Sequence, residues 1–392
     1  MMNHVRCNNN SLHRSVYCSN NNTCKDDLSS VIKLYSTAGD DNNSDPEENF
    51  LYTTLDDDEI DNTSSSQRNL QHVLHTIEYA AYTAGQIALS TAGQIAVKST
   101  KANIRDLVTE SDVKCQQLIR EIIMNEFTND LFLGEEDVDL SADSSGASSA
   151  ALTAVLSCGN NSANSNDDTS SDTEEDKDRL LFIVDPIDGT TNFQAGLPFY
   201  AVSIGVVSLP SSSSSSPEVV AGVIYNPTLG EMTSAVKGRG CYLNNRRLNN
   251  PQQQQQQHLP PRKSILNQSL INVGFPISKE STLHASSKAV SALATQVRGL
   301  RMVACASQAC AWVAQSKFNA YFSWDLNGWD VAAGIVIVEE SGGLVSKMVD
   351  GTRAGVECRD MVLTCPCERG GEEGLLRDEL IEVLRENDCF EH

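Results

Sequence analysis

No apolar run in this chain approaches the roughly 20 residues that cross a bilayer, so no membrane-spanning helix and no membrane partner are expected. The N-terminus also lacks the apolar stretch of a secretory signal. Paired cysteines are missing. Twelve Cys are present, but no CxxC occurs, Cys365 and Cys367 flank Pro366, and Cys115, Cys305 and Cys310 sit in apolar runs. Structural zinc sites show paired ligands at short spacing, so these residues read as reduced, mostly buried thiols in a reducing compartment. The expectation is a cytoplasmic protein. Residues 1–25 raise organelle import as the alternative, because they lack acids and carry Arg6, Arg14 and Lys25. A basic stripe with interleaved aromatics is lacking too, which argues against nucleic acid as a partner.

Acidic charge is plentiful but local. The net charge is −23, yet twelve acids against one Lys lie between Asp26 and Asp61, and ten acids against two bases between Asp137 and Arg179. Both stretches are also rich in Ser and Asn, and both read as solvated and disordered. The chain therefore divides into a disordered N-terminal extension, 1–66, and a folded domain, 67–388. Low-complexity insertions are expected at 137–179, 210–217 (with the run Ser211–Ser216) and 251–261 (with the run Gln252–Gln257). Deleting 137–179 is expected to change activity little.

The remaining core alternates helical and strand patterns. The hexapeptide Thr83–Ala88 recurs as Thr91–Ala96 and reads as a duplication lengthening one helix over about 68–98. An amphipathic pattern predicts a second helix near 111–127. Strands are expected at Leu131–Leu133, Leu180–Val184, Tyr200–Val207 and Val219–Tyr225. Beyond residue 262, strands near 269–273, 301–303 and 319–323 alternate with helices near 284–298, 305–316 and 329–340. The class is mixed α/β or layered α+β.

Four acidic pieces carry the chemistry. In Val184-Asp-Pro-Ile-Asp-Gly-Thr-Thr-Asn-Phe193 an apolar strand ends and two carboxylates, Asp185 and Asp188, follow at once. Like charges that close repel unless a cation lies between them. All-oxygen ligands point to a hard cation such as Mg²⁺, and the helix-start amides after Gly189 suit a phosphate. Gly134-Glu135-Glu136-Asp137 follows a short apolar strand, so that one acid could bind metal while its neighbour orients or deprotonates a water. Asp330, in Gly328-Trp-Asp-Val-Ala-Ala-Gly334, opens an apolar helix, and Asp112 ends Asp106-Leu-Val-Thr-Glu-Ser-Asp112 at the start of another. Taken singly, each piece also reads as a turn or helix cap.

In their order, these four pieces closely resemble the inositol monophosphatase family of the lithium-sensitive, magnesium-dependent phosphatase superfamily. The resemblance covers nearly all of the core, including Gly299–Gly343 without gaps. It implies a layered αβαβα sandwich, a homodimer, a small-molecule phosphate monoester as substrate, and two or three Mg²⁺ ions. It implies that Glu135, Asp185 and the Ile187 carbonyl hold one ion, and that Asp185, Asp188 and Asp330 hold a second. A third would use Glu135 and waters, with Asp112 in its outer shell. Glu136 and Thr190 would position the attacking water, with Asp112 counted among the catalytic residues. The amides of Gly189 and Thr190 would cradle the phosphate beside Asp188 and Asp330.

Two positions depart from the family pattern. Ser323 stands where a carboxylate contacting sugar or inositol hydroxyls is usual, with Asp325 two residues out of register, and Ala304 replaces a common Gly. Both lie on the substrate-binding side. Myo-inositol monophosphate is the expected substrate. The alternatives are histidinol phosphate, another sugar phosphate, a 3′,5′-bisphosphate nucleotide, or a non-catalytic regulatory role.

Overall fold

The unbroken apolar run Leu180–Val184 predicts a strand buried on both faces, and it lies in the larger of two sheets. The computed structural model describes residues 69–94, 99–100, 107–138, 144–158, 179–209, 216–248, 265–276, 279–366 and 375–390. The first half of the chain forms α1 (Leu70–Thr91), β1 (Ser99–Thr100), β2 (Leu107–Val108), α2 (Glu110–Glu126), β3 (Leu131–Gly134), α3 (Ser144–Cys158), β4 (Leu180–Asp188) and α4 (Thr190–Gln194). Next come β5 (Ala201–Ser208), β6 (Glu218–Asn226), β7 (Glu231–Val236), β8 (Gly240–Leu243), β9 (Arg246–Arg247), β10 (Leu270–Val273), α5 (Glu280–Leu293) and β11 (Gly299–Arg301). The last elements are α6 (Ala306–Ala314), β12 (Ala320–Ser323), α7 (Gly328–Glu340), β13 (Leu344–Lys347), β14 (Met361–Thr364) and α8 (Leu375–Glu386).

The large sheet has seven strands in the order β3-β4-β5-β6-β7-β8-β9, and the smaller has five in the order β11-β10-β12-β14-β13. Side-chain alternation along β4 divides the core. Leu180, Phe182 and Val184 point to α1 and α2, where they meet Ile77 and Ile119. Leu181 and Ile183 point the other way, into a layer built by α6 and α7 that also takes Tyr321 and Leu363 from the small sheet. Phe322 and Val362 face outward from that sheet and are covered by Leu293 of α5 and Leu384 of α8. The result is the expected αβαβα sandwich. Helix α7 sits unusually close to the large sheet. A Cβ on Gly205 would come within 2.4 Å of Ala332 Cβ, and one on Gly222 within 2.8 Å of Ala333 Cα.

The structure corrects several expectations. Helix α1 stops at Thr91, not near 98, because Gly93 turns left-handed (φ +70°) and its N–H donates to Phe193 O at 2.9 Å. Helix α5 starts four residues earlier than its apolar pattern suggests, and β11 runs Gly299–Arg301 rather than 301–303. Strands β7–β9, β13 and β14 and helix α8 complete the two sheets and the outer layer without having been read from the sequence. Within the expected low-complexity insertion 137–179, residues 144–158 form helix α3. It forms because Leu152 and Ser148 are buried on the protein. The expected extension 1–66 and insertion 251–261 lie outside the described residues, as do 210–215. Among the described residues, no helix is long and apolar enough to cross a membrane.

Candidate active site

Strand register brings the first acids together. β3 and β4 pair in parallel, with Gly134 opposite Val184 as the last pair, so Glu135 and Asp185 follow it at matched positions. β4 then pairs antiparallel with β5 but loses register between Asp185 and Asp188. Pro186 cannot donate to the ladder, and the irregularity bends the chain at the point where it carries both aspartates. Gly189 follows in the left-handed region (φ +86°), where a Cβ would also lie 2.8 Å from Phe199 O. Thr190 opens α4, and its hydroxyl donates to the Ile187 carbonyl at 3.2 Å.

The other two acids enter on helix starts. Asp112 occupies the first turn of α2, and Asp330 that of α7. In each of the four aspartates one carboxylate oxygen is taken by a nearby backbone amide. Asp112 Oδ2 accepts from Thr109 N at 2.8 Å and also from the Thr109 hydroxyl. Asp185 Oδ1 accepts from Ile187 N at 3.1 Å. Asp330 Oδ2 accepts from Asn327 N at 2.7 Å. Asp188 Oδ2 accepts from both the amide and the hydroxyl of Ser307, each at 2.6 Å. Such bonds hold each carboxylate in one orientation.

Burial and mutual repulsion act on the same groups. Asp112 is fully buried, its Oδ1 has no hydrogen-bond partner, and burial pushes its carboxyl up to about 6. Asp188 and Asp330 keep partial solvent contact, yet burial is the largest influence on both and raises both. Asp188 then raises Asp330 further, and Glu135 pushes up all three, while Arg359 opposes the shift at Asp330. Acids that disfavour one another's ionisation in this way are stabilised by a cation. Their donors are all oxygen, which suits a hard divalent ion. Among the described residues, no three His, Cys, Asp or Glu side chains are gathered closely enough to hold a metal as they stand.

The turn that carries Glu135 and Glu136 depends on residues that sequence reasoning passed over. Gln116 Oε1 accepts from Glu136 N at 2.9 Å, and Gln116 Nε2 donates to Asp137 Oδ1 at 3.1 Å. Asp137 Oδ2 takes Gly134 N at 2.9 Å and pairs with Arg120. Asp137 therefore belongs to the site's scaffold and not to an insertion. Its signal was an acid three residues after a strand-end Gly, the spacing of a local cap. Asn192 was also missed. Its amide donates to Phe199 O and Val303 O at 2.8 Å and to Ala304 O at 3.2 Å, clamping the β11–α6 loop against α4.

On the substrate side the departures have structural consequences. Ser323 is buried and its hydroxyl donates to Trp324 O at 3.1 Å. Asp325 does not replace a free carboxylate, because Arg359 Nη2 lies 2.6 Å and Lys279 Nζ 3.3 Å from its Oδ1. Ala304 has φ +56°, a left-handed conformation that favours the Gly it replaces.

The sequence model of the inositol monophosphatase family matches residues 69–380. The chain is 31% identical over 267 residues to an inositol monophosphatase from Mesembryanthemum crystallinum, covering 66% of this chain and 82% of that one. It is 35% identical over 167 residues to a Nus factor SuhB from Xylella fastidiosa, a stretch that spans 54% of that relative and 43% of this chain. Among solved structures, extragenic suppressor protein suhB from Bartonella henselae superposes with a TM-score of 0.59 at 25% identity, covering 80% of this chain and 98% of that one. The family match runs through all four acidic segments, and the chain therefore belongs to the inositol monophosphatase family of metal-dependent phosphatases.

Proposed function

We propose that this protein hydrolyses a phosphate monoester with Mg²⁺, and that its substrate is myo-inositol monophosphate, cleaved to inositol and phosphate. The observation that carries this reading is the acidic cluster in which Glu135 raises Asp112, Asp188 and Asp330, and Asp188 raises Asp330 further, next to the left-handed Gly189. Glu135, Asp185, the Ile187 carbonyl, Asp188 and Asp330 would hold the ions, with Asp112 in an outer role. When bound, two or three Mg²⁺ ions supply charge neutralisation for the phosphate oxygens and a lowered pKa for water. Glu136 and Thr190 orient the attacking water in line with the ester bond. The Gly189 and Thr190 amides hold the phosphate. Catalysis by such a site consists of positioning and charge stabilisation.

The decisive assay is phosphate release from inositol 1-phosphate, histidinol phosphate, fructose 1,6-bisphosphate and a 3′,5′-bisphosphonucleoside, each with Mg²⁺, with EDTA and with added Li⁺. Mg²⁺-dependent, Li⁺-sensitive cleavage of the inositol ester is expected. Ser323 and the ion-paired Asp325 favour a second reading, a different small phosphate ester on the same scaffold, and cleavage of another panel member would establish it. No cleavage at all would leave a regulatory role. A homodimer is also proposed from the family, and light scattering of the purified protein tests it.

A further inference from the structure

Helix α3 lies between the Glu135–Glu136 pair and Asp185, in a stretch whose composition marks an insertion. It has no charged residue, yet it is anchored. Ser148 and Leu152, one turn apart, are 2% and 5% exposed. Leu152 joins the central layer with Leu133 and Trp329, and a Cβ on Gly328 would reach 3.0 Å from its Cδ2. Ser148 Oγ donates to Asn327 Oδ1 at 2.7 Å and accepts from Arg359 Nη1 at 3.0 Å. Arg359 Nη1 also reaches Asn327 Oδ1, at 3.1 Å.

Asn327 immediately precedes α7, and an Asn there ordinarily turns its side-chain oxygen onto the first-turn amides. Here that oxygen is held by Ser148 and Arg359. The first turn is closed from the other direction, because Asp330 Oδ2 accepts from Asn327 N. The orientation of the Asp330 carboxylate thus depends on the backbone of a residue whose side chain is tied to the inserted helix.

We propose that Ser148 is a positioning residue for Asp330, acting through Asn327, so that the inserted helix α3 sets the cation affinity of the site. This rests on the reading of Asp330 as a metal-holding residue. Replacing a group that orients a metal ligand weakens metal binding by about 10–100-fold, and the lower end applies here because Arg359 still holds Asn327.

The test is Mg²⁺ titration by calorimetry of the full-length protein without substrate, for wild type, Ser148→Ala, Ser148→Thr and Val155→Ala. Val155 packs on the same layer but lies about two turns further along the helix, so it controls for loss of packing alone. Ser148→Ala should bind Mg²⁺ about tenfold more weakly, with Ser148→Thr restoring affinity and Val155→Ala retaining it. Thermal melts in EDTA establish that each variant is folded. Wild-type affinity in folded Ser148→Ala, or equal weakening in Val155→Ala, would overturn the positioning role. Absence of Mg²⁺ binding by the wild type would instead overturn the metal reading beneath it.

Discussion

On the seven-stranded sheet, Glu135 and Asp185 continue two parallel neighbours from matched positions, and Asp188 follows within the same strand. Each aspartate there gives one oxygen to a backbone amide, Asp185 to its neighbour Ile187 and Asp188 to Ser307 at the start of α6. On the five-stranded sheet, β12 ends in Ser323, whose hydroxyl turns to Trp324 O, and the next acid, Asp325, is held by two cations. One sheet carries Glu135, Asp185 and Asp188 close together, while the other is followed by a carboxylate paired with Arg359 and Lys279. The two regions therefore differ in how their carboxylates are held, and Arg359 links them, since it pairs with Asp325 and also donates to Asn327 Oδ1.

The sharpest way to break this comparison is Asp185→Asn. It should lower kcat by at least about 10²–10³-fold, the scale for removing one preorganised electrostatic group. Melting in EDTA should remain cooperative, because the amide keeps the bond from Ile187 N. A folded variant with near-normal phosphate release would sink the metal assignment. Arg359→Ala probes the opposite sheet. It leaves the Asp325 carboxyl, 3% exposed, with Lys279 as its remaining cationic partner among those described. A loss of about 3 kcal/mol in urea denaturation is expected, and an unchanged midpoint would show that the pair contributes nothing.

A third test separates burial from repulsion. Glu78 of α1 is 6% exposed, and burial pushes its carboxyl up to about 7, opposed by a hydrogen bond with Ser234. Its folded pKa exceeds the unfolded value of 4.5, so the folded state binds the extra proton between pH 4.5 and 7. Stability should therefore fall as pH rises through that window, by about 3 kcal/mol. Glu78→Gln should flatten the dependence and be the more stable protein at pH 8. Parallel pH profiles for the two proteins would refute the shift. Added Mg²⁺ should leave the Glu78 step in place, since no acidic neighbour contributes to it. The smallest effect belongs to Ala304→Gly. It relieves a left-handed alanine worth about 1–2 kcal/mol, less the extra unfolded-state entropy of glycine, for a net gain of up to about 1 kcal/mol. A lower melting temperature would contradict it.

Much of this was readable from residue order. Apolar runs ending in acids located β3, β4 and the starts of α2 and α7, because burial periodicity is local. The two aspartates three apart in β4 announced a charge problem needing a cation. What escaped was non-local. Gln116 and Asp137 support the Glu135 turn from a helix and a segment that composition assigned to an insertion. Helix α3 has little charge or periodicity of its own, and it is held by Ser148 and Leu152 meeting partners about 180 residues away. The pairing that neutralises Asp325 joins residues from three separate loops.

The duplicated hexapeptide shows where the boundary lies. Thr83–Ala88 and Thr91–Ala96 have the same local preferences. In the first copy Gly85 remains helical, where a Cβ would stand 2.5 Å from the Tyr225 ring. In the second, Gly93 turns left-handed and donates to Phe193 O, ending α1 beside α4. By itself the sequence determined which residues could be strand, helix start or metal donor, since burial pattern and charge are properties of neighbours along the chain. Only the tertiary structure decided which glycine bends, which acid is already paired and which inserted segment supports the site, because those outcomes depend on partners that only folding brings into contact.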